Sequence, residues 1–270
     1  MDKILELHDV TVRYRGVPHP VLAGVRLALG PGDRLVVAGA DGAGKTALVR
    51  LAAGLSVAHA GHASRGFRQL ALVGSDARAQ VIGDTPLADV AAGMEARGIP
   101  AASMEEIAWE LLELVGLADH AHRPVAVLSG GEQQRLAAAA ALAPLAACPG
   151  EPALVLLDEP ATHLDPRGRA TLLDLLDRCA GPHAAVIWTT QQPDELGTFP
   201  DVLVLHAGRV AFRGAPRDLI AHPGHLESVG LAIPSPARVA IELADRGIRM
   251  GPPPLTDPEL LGQIDAWGMR

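Results

Sequence analysis

Apolar and polar residues alternate along "ILELHDVTVRY" from Ile4 and again along "VLAGVRLAL" from Val21, with turn sequences "GVPHP" and "GPGD" after each. Two half-buried strands of an antiparallel sheet are the elements this pattern predicts. The next run, "RLVVA", is apolar without interruption, as a strand buried on both faces must be. It leads through Gly39 to Thr46 into "ALVRLAAGL", apolar at helical spacing and closed by Gly54, so a strand, a glycine loop and a helix follow one another.

From about 86 to 147 the periodicity is helical. Ser103 and Glu106 stand at capping-box spacing ahead of "IAWELLELVGL". The most apolar stretch, "LAAAAALAPLAAC", is broken by Pro144 and falls short of the roughly 20 residues that cross a bilayer, so the chain is not expected to span a membrane by itself. From 153 the sequence reads buried strand ("ALVLLD"), helix ("RATLLDLLDRCA"), strand ("AAVIWTT"), short helix, and a strand pair ("DVLVLHAGRVAFRG"). Strands alternating with helices predict a largely parallel sheet covered on both faces. After about 222 two short helical patterns flank a proline run, the second with Thr256 and Glu259 at capping-box spacing and Pro258 in its first turn.

Composition narrows the class. With 270 residues, 49% of them hydrophobic, the chain can bury a large core, and its net charge of −8 argues against a nucleic-acid partner bound over a broad basic surface. The two cysteines, Cys148 and Cys179, have no metal or disulfide spacing, and "MDKILELHDV" is charged where a signal segment would be apolar; both point to a reducing, cytosolic setting.

Three stretches carry chemistry. "GADGAGKT" (Gly39, Ala40, Asp41, Gly42, Ala43, Gly44, Lys45, Thr46) has the phosphate-loop pattern: glycines that let backbone N–H groups turn inward, a helix N-terminus, a lysine cation, and a threonine hydroxyl for magnesium. "ALVLLDEP" sets Asp158 and Glu159 just past a buried strand, where one can approach magnesium and the other a water facing the terminal phosphate. "LSGGEQQR" reads as a capping box of Ser129 and Glu132, which leaves Gly130 and Gly131 at the helix start unexplained; bare amides there make an anion site. In "VIWTTQQPDEL", Gln191 and Gln192 read simply as polar residues where a strand ends.

The ordered set "GADGAGKT", "LSGGEQQR" and "LVLLDEP", followed by "ATHLD", resembles the ATP-binding subunits of ABC transporters over about residues 3 to 220. The resemblance implies an α/β fold with a P-loop NTPase core and a mainly parallel sheet, an N-terminal antiparallel β-subdomain and a helical subdomain inserted at about 77–150, all within an ATPase domain of residues 1–222. ATP and Mg2+ are the cofactors it implies, and a dimer is the working form. Each ATP would lie between the phosphate loop of one subunit and Ser129, Gly130 and Gly131 of the other. Tyr14 would stack on adenine, Glu159 would polarise the attacking water, Thr46 and Asp158 would serve the metal, and Leu164 and Asp165 would lie in the loop facing the opposite site. The tail "LESVGLAIPSPARVAIELADRGIRMGPPPLT" is similar to that of energy-coupling factor ATPases, which drive uptake of vitamins, cobalt or nickel; residues 223–270 would then be that group's C-terminal helical extension. "LVGSDARAQVIGDTPLADVAAG" aligns to the same group, with Gln80, Asp89, Val90 and Gly93 at characteristic positions.

Two positions depart from the family. The glutamine that touches magnesium falls on Ser75, about two carbons shorter, so that a bridging water would be needed; the histidine that contacts the terminal phosphate falls on Gln191, neutral but still a donor and acceptor. Loss of one preorganised donor typically costs roughly 10²–10³ in rate. The resemblance therefore implies an ATP-binding subunit on the cytoplasmic face of the membrane, importing a micronutrient with a second ATP-binding subunit, a membrane coupling subunit and a substrate-binding membrane subunit. The chain would be either the weaker half of an asymmetric pair or a slow homodimer. The alternatives are a nucleotide-binding regulatory ABC protein with little hydrolysis, and a soluble ABC ATPase of translation or repair, which tandem copies or a coiled-coil insertion would mark and this sequence lacks.

Overall fold

A computed structural model describes residues 3–221, 223–248 and 251–268. In chain order the elements are β1 (Leu5–Val12), β2 (Leu22–Leu29), β3 (Arg34–Ala38), α1 (Lys45–Ala52), β4 (Ala60–Arg65), β5 (Gln69–Val73), α2 (Pro86–Glu95), α3 (Ala101–Leu114) and α4 (Gly130–Ala147). There follow β6 (Ala153–Asp158), α5 (Pro166–Cys179), β7 (Ala184–Thr190), β8 (Asp201–His206), β9 (Arg209–Gly214), α6 (Pro216–Ile220), α7 (Pro223–Ser228), α8 (Ser235–Asp245) and α9 (Asp257–Gly268). The chain divides into two units, one of Met1–Glu6, Leu27–Asp33 and Ser64–Ile187, the other of Leu7–Arg26, Arg34–Ala63 and Trp188–Arg270.

In the first unit β5 lies parallel to β6, from Gln69 opposite Ala153 to Val73 opposite Leu157, and the first residues of β7 come next in the strand order. All six residues of β6 are buried, as an apolar run between two covered faces requires. Four helices, α2 to α5, accompany these strands. Helix α4 packs against the other three through Leu136, Leu142, Leu145 and a series of buried alanines. Thr85 caps α2, its hydroxyl accepting from Ala88 N–H, and Asp165 caps α5, accepting from Gly168 N–H at 2.7 Å; each is followed by a proline whose missing N–H costs a helix start nothing.

In the second unit β1 sits between β2 and β4. Both pairings are antiparallel: Val21 N–H donates to Val12 C=O and Arg26 pairs with Asp9, while His59 N–H donates to Thr11 C=O. The strand β3 is parallel to β8, from Leu35 opposite Asp201 to Ala38 opposite Val204, and β9 returns antiparallel with a register shift at Val204/Leu205. Trp188, fully buried, meets Phe199 edge to face at 6.1 Å, and the Arg34 guanidinium lies over the Phe199 ring at 5.7 Å from its centroid.

Three expectations change. Pro144 does not break the apolar helix: α4 runs on to Ala147. The carbonyl of Ala140, which a proline cannot serve, instead stands close to Gly93 of α2; a Cβ at Gly93 would come within 3.0 Å of it and 3.5 Å of the proline ring, so the absent side chain lets the helices close over the defect. Helix α3 begins at Ala101 behind Pro100, which places Ser103 inside the first turn rather than at the cap; two alanines propagate a helix better than serine ends one. The box at Thr256 is partial, for Glu259 N–H donates to the Thr256 hydroxyl while the Glu259 carboxylate accepts from Leu255 N–H at 2.9 Å. Among the described residues no helix is long and apolar enough to cross a membrane.

Two buried groups give measurable expectations. Asp89, in the first turn of α2 and 2% exposed, accepts at one oxygen from Ile82 N–H and Gly83 N–H, both at 2.8 Å, while its other oxygen is buried without a partner. Burial raises its pKa, and the two N–H bonds oppose that shift. A raised folded-state pKa means that stability falls as pH climbs from the ordinary carboxylate range through the folded value, because the unfolded chain releases its proton first. Asp89→Asn, which keeps the accepting oxygen and turns the other into an uncharged donor, is expected to match or exceed the parent at neutral pH, with the difference shrinking as pH falls; Asp89→Ala, leaving two N–H groups unserved, should cost roughly 1–3 kcal/mol. Urea unfolding across the acid range measures both. Burial likewise pushes the Cys179 thiol up to about 12, whereas Cys148 is half-buried. Alkylation of the native protein should therefore modify Cys148 and spare Cys179 until unfolding, as peptide mass spectrometry would record.

Candidate functional site

Strands buried on both faces hand over to polar residues where they end. In the second unit β3 gives way to Gly39, whose N–H donates to Thr190 C=O at 3.2 Å, joining the start of the glycine loop to the last residue of β7. A Cβ at Gly39 would stand 2.6 Å from the Leu205 carbonyl oxygen, so no other residue fits. The loop then closes on itself: Ala43 N–H donates to Ala40 C=O, and Gly208 N–H to Ala43 C=O. Gly44 precedes α1 at φ 110, where a Cβ would meet Val21 C=O at 2.7 Å as well as an unfavourable backbone. Buried Lys45 donates its ammonium to the carbonyls of Gly39 at 2.8 Å and Ala40 at 3.2 Å; Asp41 and Thr46 are exposed. A helix N-terminus, a fixed cation and an open hydroxyl within eight residues form a donor set that fits the terminal phosphates of a nucleotide and its magnesium ion.

Two other candidates belong to this unit. Gln191 follows β7 directly and is half-buried; the strand exit itself is managed by its neighbours, Gln192 N–H donating to the Thr190 hydroxyl at 2.9 Å and Pro193–Glu195 making one helical turn. Glu195 is held below by the Trp188 indole N–H at 2.7 Å. Tyr14 stands two residues beyond β1 with 36% of its surface exposed, its carbonyl accepting from Val17 N–H.

In the first unit Asp158 ends β6, buried, and Glu159 takes φ 52, a left-handed backbone that costs a side-chain-bearing residue about 1–2 kcal/mol. Both the N–H and the hydroxyl of Thr162 donate to the Glu159 carbonyl, which holds the turn, and Leu164 and the cap Asp165 follow. The capping box at the head of α4 is complete: Glu132 N–H donates to the Ser129 hydroxyl at 3.3 Å, and Ser129 N–H to the Glu132 carboxylate at 2.7 Å. Hydrogen bonding to the Ser129 side chain, then to its N–H, keeps the Glu132 carboxyl below its ordinary pKa. A Cβ on exposed Gly130 would touch nothing within 4 Å, so no neighbour among the described residues demands a glycine; at Gly131 a Cβ would come to 3.4 Å of His163 C=O. Ser75 is exposed and lines a 290 Å³ cavity with Asp76, Gly130, Gln134 and His163.

Two residues near these groups escape a reading of sequence pattern. His163 reaches the cavity from the "ATHLD" turn, and Gln80 bonds the backbone next to Ser75; neither sits in a periodic element, and only the alignment of "LVGSDARAQ" singles out Gln80.

Residues 22–162 match the ABC transporter family, ABC_tran. The energy-coupling factor transporter ATP-binding protein EcfA1 of Streptococcus agalactiae is 31% identical over 98% of both chains, and that of Streptococcus mutans 32% identical over 96% of this chain and 95% of its own. In fold, the chain is similar to cbiO1 of Clostridium perfringens, with a TM-score of 0.69 at 22% identity over 85% of this chain and 95% of that one. The glycine loop, the strand-end carboxylates, the capped Ser-Gly-Gly helix and this near full-length likeness place the chain in one family: it belongs to the ATP-binding subunits of ABC transporters, in the energy-coupling factor group, ATPases that couple hydrolysis to transport.

Proposed function

We propose that this chain powers import of a micronutrient, a vitamin or a transition-metal ion, from the cytoplasmic face of a membrane, as the weaker-hydrolysing half of an asymmetric ATPase pair. Its domain divides at 222/223 from a C-terminal extension; His222 lies outside the described residues. The observation that carries the asymmetry is the contrast between two sets of side chains. Gly39 to Thr46, Asp158, Glu159 and Gly130 keep the residue types the family's motifs call for, while Ser75 and Gln191 stand where longer or chargeable groups are expected.

In this reading the loop amides and Lys45 hold the phosphates and Tyr14 stacks on the adenine. Thr46 and Asp158 serve the magnesium ion, with Ser75 reaching it through a water. Magnesium characteristically takes few protein ligands and keeps its waters, which suits a hydroxyl and one carboxylate. Bound MgATP supplies the phosphoanhydride bond whose cleavage drives the cycle. Glu159 orients the attacking water from a backbone turn that resists relaxation, and Gln191 offers a neutral donor to the terminal phosphate in place of a cation. Ser129, Gly130 and Gly131 face the nucleotide held by a second ATP-binding subunit, and a membrane coupling subunit and a substrate-binding membrane subunit complete the transporter.

The test is ATP turnover of the purified chain alone, with its co-expressed partner, and as Gln191→His. Expected are slow turnover alone, faster turnover in the pair, and a gain of about tenfold or more for Gln191→His alone. Vigorous turnover by the unaltered chain alone would remove the asymmetry, and a silent pair would favour a regulatory nucleotide-binding role.

A further inference from the structure

We infer that Gln80 is a positioning residue for Ser75: its side-chain amide fixes the exit of β5 and with it the place of the Ser75 hydroxyl. The inference rests on the reading of Ser75 as a water-mediated contact to magnesium.

Strand β5 stands at the end of the strand order, so among the described residues no strand bonds the backbone groups on its outer side. Gln80 fills that role at one position. Its Oε1 accepts from Gly74 N–H at 2.7 Å and its Nε2 donates to Leu72 C=O at 3.0 Å. In a parallel ladder one residue bonds the carbonyl before and the N–H after the residue opposite it. The Gln80 amide makes that same pair of bonds astride Val73, as a single rung of a missing strand. It is itself held at the end of a turn, its N–H donating to Ala77 C=O, with Ala77 buried.

Two further bonds lie beyond Ser75, Arg78 Nε donating to Gln133 Oε1 at 2.9 Å and Ala79 N–H to the Asp76 carboxylate at 3.4 Å, while the strand end itself is met by Gln80. The three atoms nearest to where a Gly74 Cβ would stand are Oε1, Cδ and Nε2 of Gln80. Ser75 and Asp76 are exposed, and toward α4 they open on the 290 Å³ cavity rather than on packed side chains. Only one residue separates Val73, the last in register with β6, from Ser75, and Gly74 gives that link no side chain of its own. The Gln80 rung therefore decides where the serine hydroxyl points.

The carboxamide chemistry makes the test specific. In Gln80→Glu the ionised carboxylate can still accept from Gly74 N–H but sets an acceptor against the Leu72 carbonyl; once protonated, the carboxyl again has one donor and one acceptor. The measurement is the Mn2+ affinity of the full chain loaded with a non-hydrolysable ATP analogue, read from the free-ion EPR signal. Gln80→Ala should weaken Mn2+ about 2- to 10-fold, the range of one net hydrogen bond, while metal-free analogue binding is unchanged. Ser75→Ala should give a similar loss, and the double variant no more than the larger single effect. Gln80→Glu should match Gln80→Ala at neutral pH and approach the parent as pH is lowered, a profile relative to the parent that a general packing defect would not produce. A Gln80→Ala chain with parental Mn2+ affinity beside a weakened Ser75→Ala, or a pH-independent deficit in Gln80→Glu, would overturn the inference alone. A Ser75→Ala chain with parental affinity would overturn the magnesium reading of Ser75 and the inference with it.

Discussion

A strand covered on both faces can place a functional group only where it stops, since any polar side chain along its length would be buried without water. That constraint governs the candidate site. Four of the five residues of β3 and all of β6 and β7 are buried, and their polar continuations are the glycine loop, Asp158 with Glu159, and Gln191. Buried lengths of strand supply rigidity; the groups proposed to meet a nucleotide are confined to the residues immediately beyond. Gly39 shows how tightly this is drawn, since the backbone of β8 comes so close that a single added carbon would collide.

The same constraint explains what sequence alone makes legible. Runs such as "RLVVA" and "ALVLLD" announce strands because burial on both faces forbids polar interruption, and the glycine pattern after the first announces a loop whose steric requirements allow few substitutes. Strand β4, "AGHASR", is almost wholly exposed and gives no such signal; its pairing with β1 comes from tertiary context. Pro144 misleads for a related reason: the helix runs through it and packs closely on Gly93, 51 positions earlier in the chain, on a helix that only folding brings alongside. Gln80 and Asp89 are invisible to periodicity altogether. Gln80 bonds backbone at the edge of β5 and Asp89 backbone of the irregular segment ahead of α2, and nothing in polarity or spacing distinguishes them from surface residues.

Position 130 separates two kinds of glycine. Gly39 and Gly44 are required by their own chain, through collision or a left-handed backbone, whereas Gly130 is crowded by nothing in the described fold. A capping box explains Ser129 and Glu132 and leaves Gly130 over, which fits the proposal that a nucleotide approaches the helix there from outside. The local electrostatics agree, for Glu132 is turned back onto the Ser129 N–H and its charge is spent inside the cap.

The backbone at Glu159 has an evolutionary consequence. A left-handed conformation suits glycine or asparagine better than glutamate, so the replacements that would relax this turn also delete the carboxylate. If Glu159 serves turnover as proposed, stability and chemistry pull in opposite directions at this one residue. On the proposed reading, a subunit that served only as a clamp and not for hydrolysis would gain backbone stability by exchanging this glutamate for glycine or asparagine.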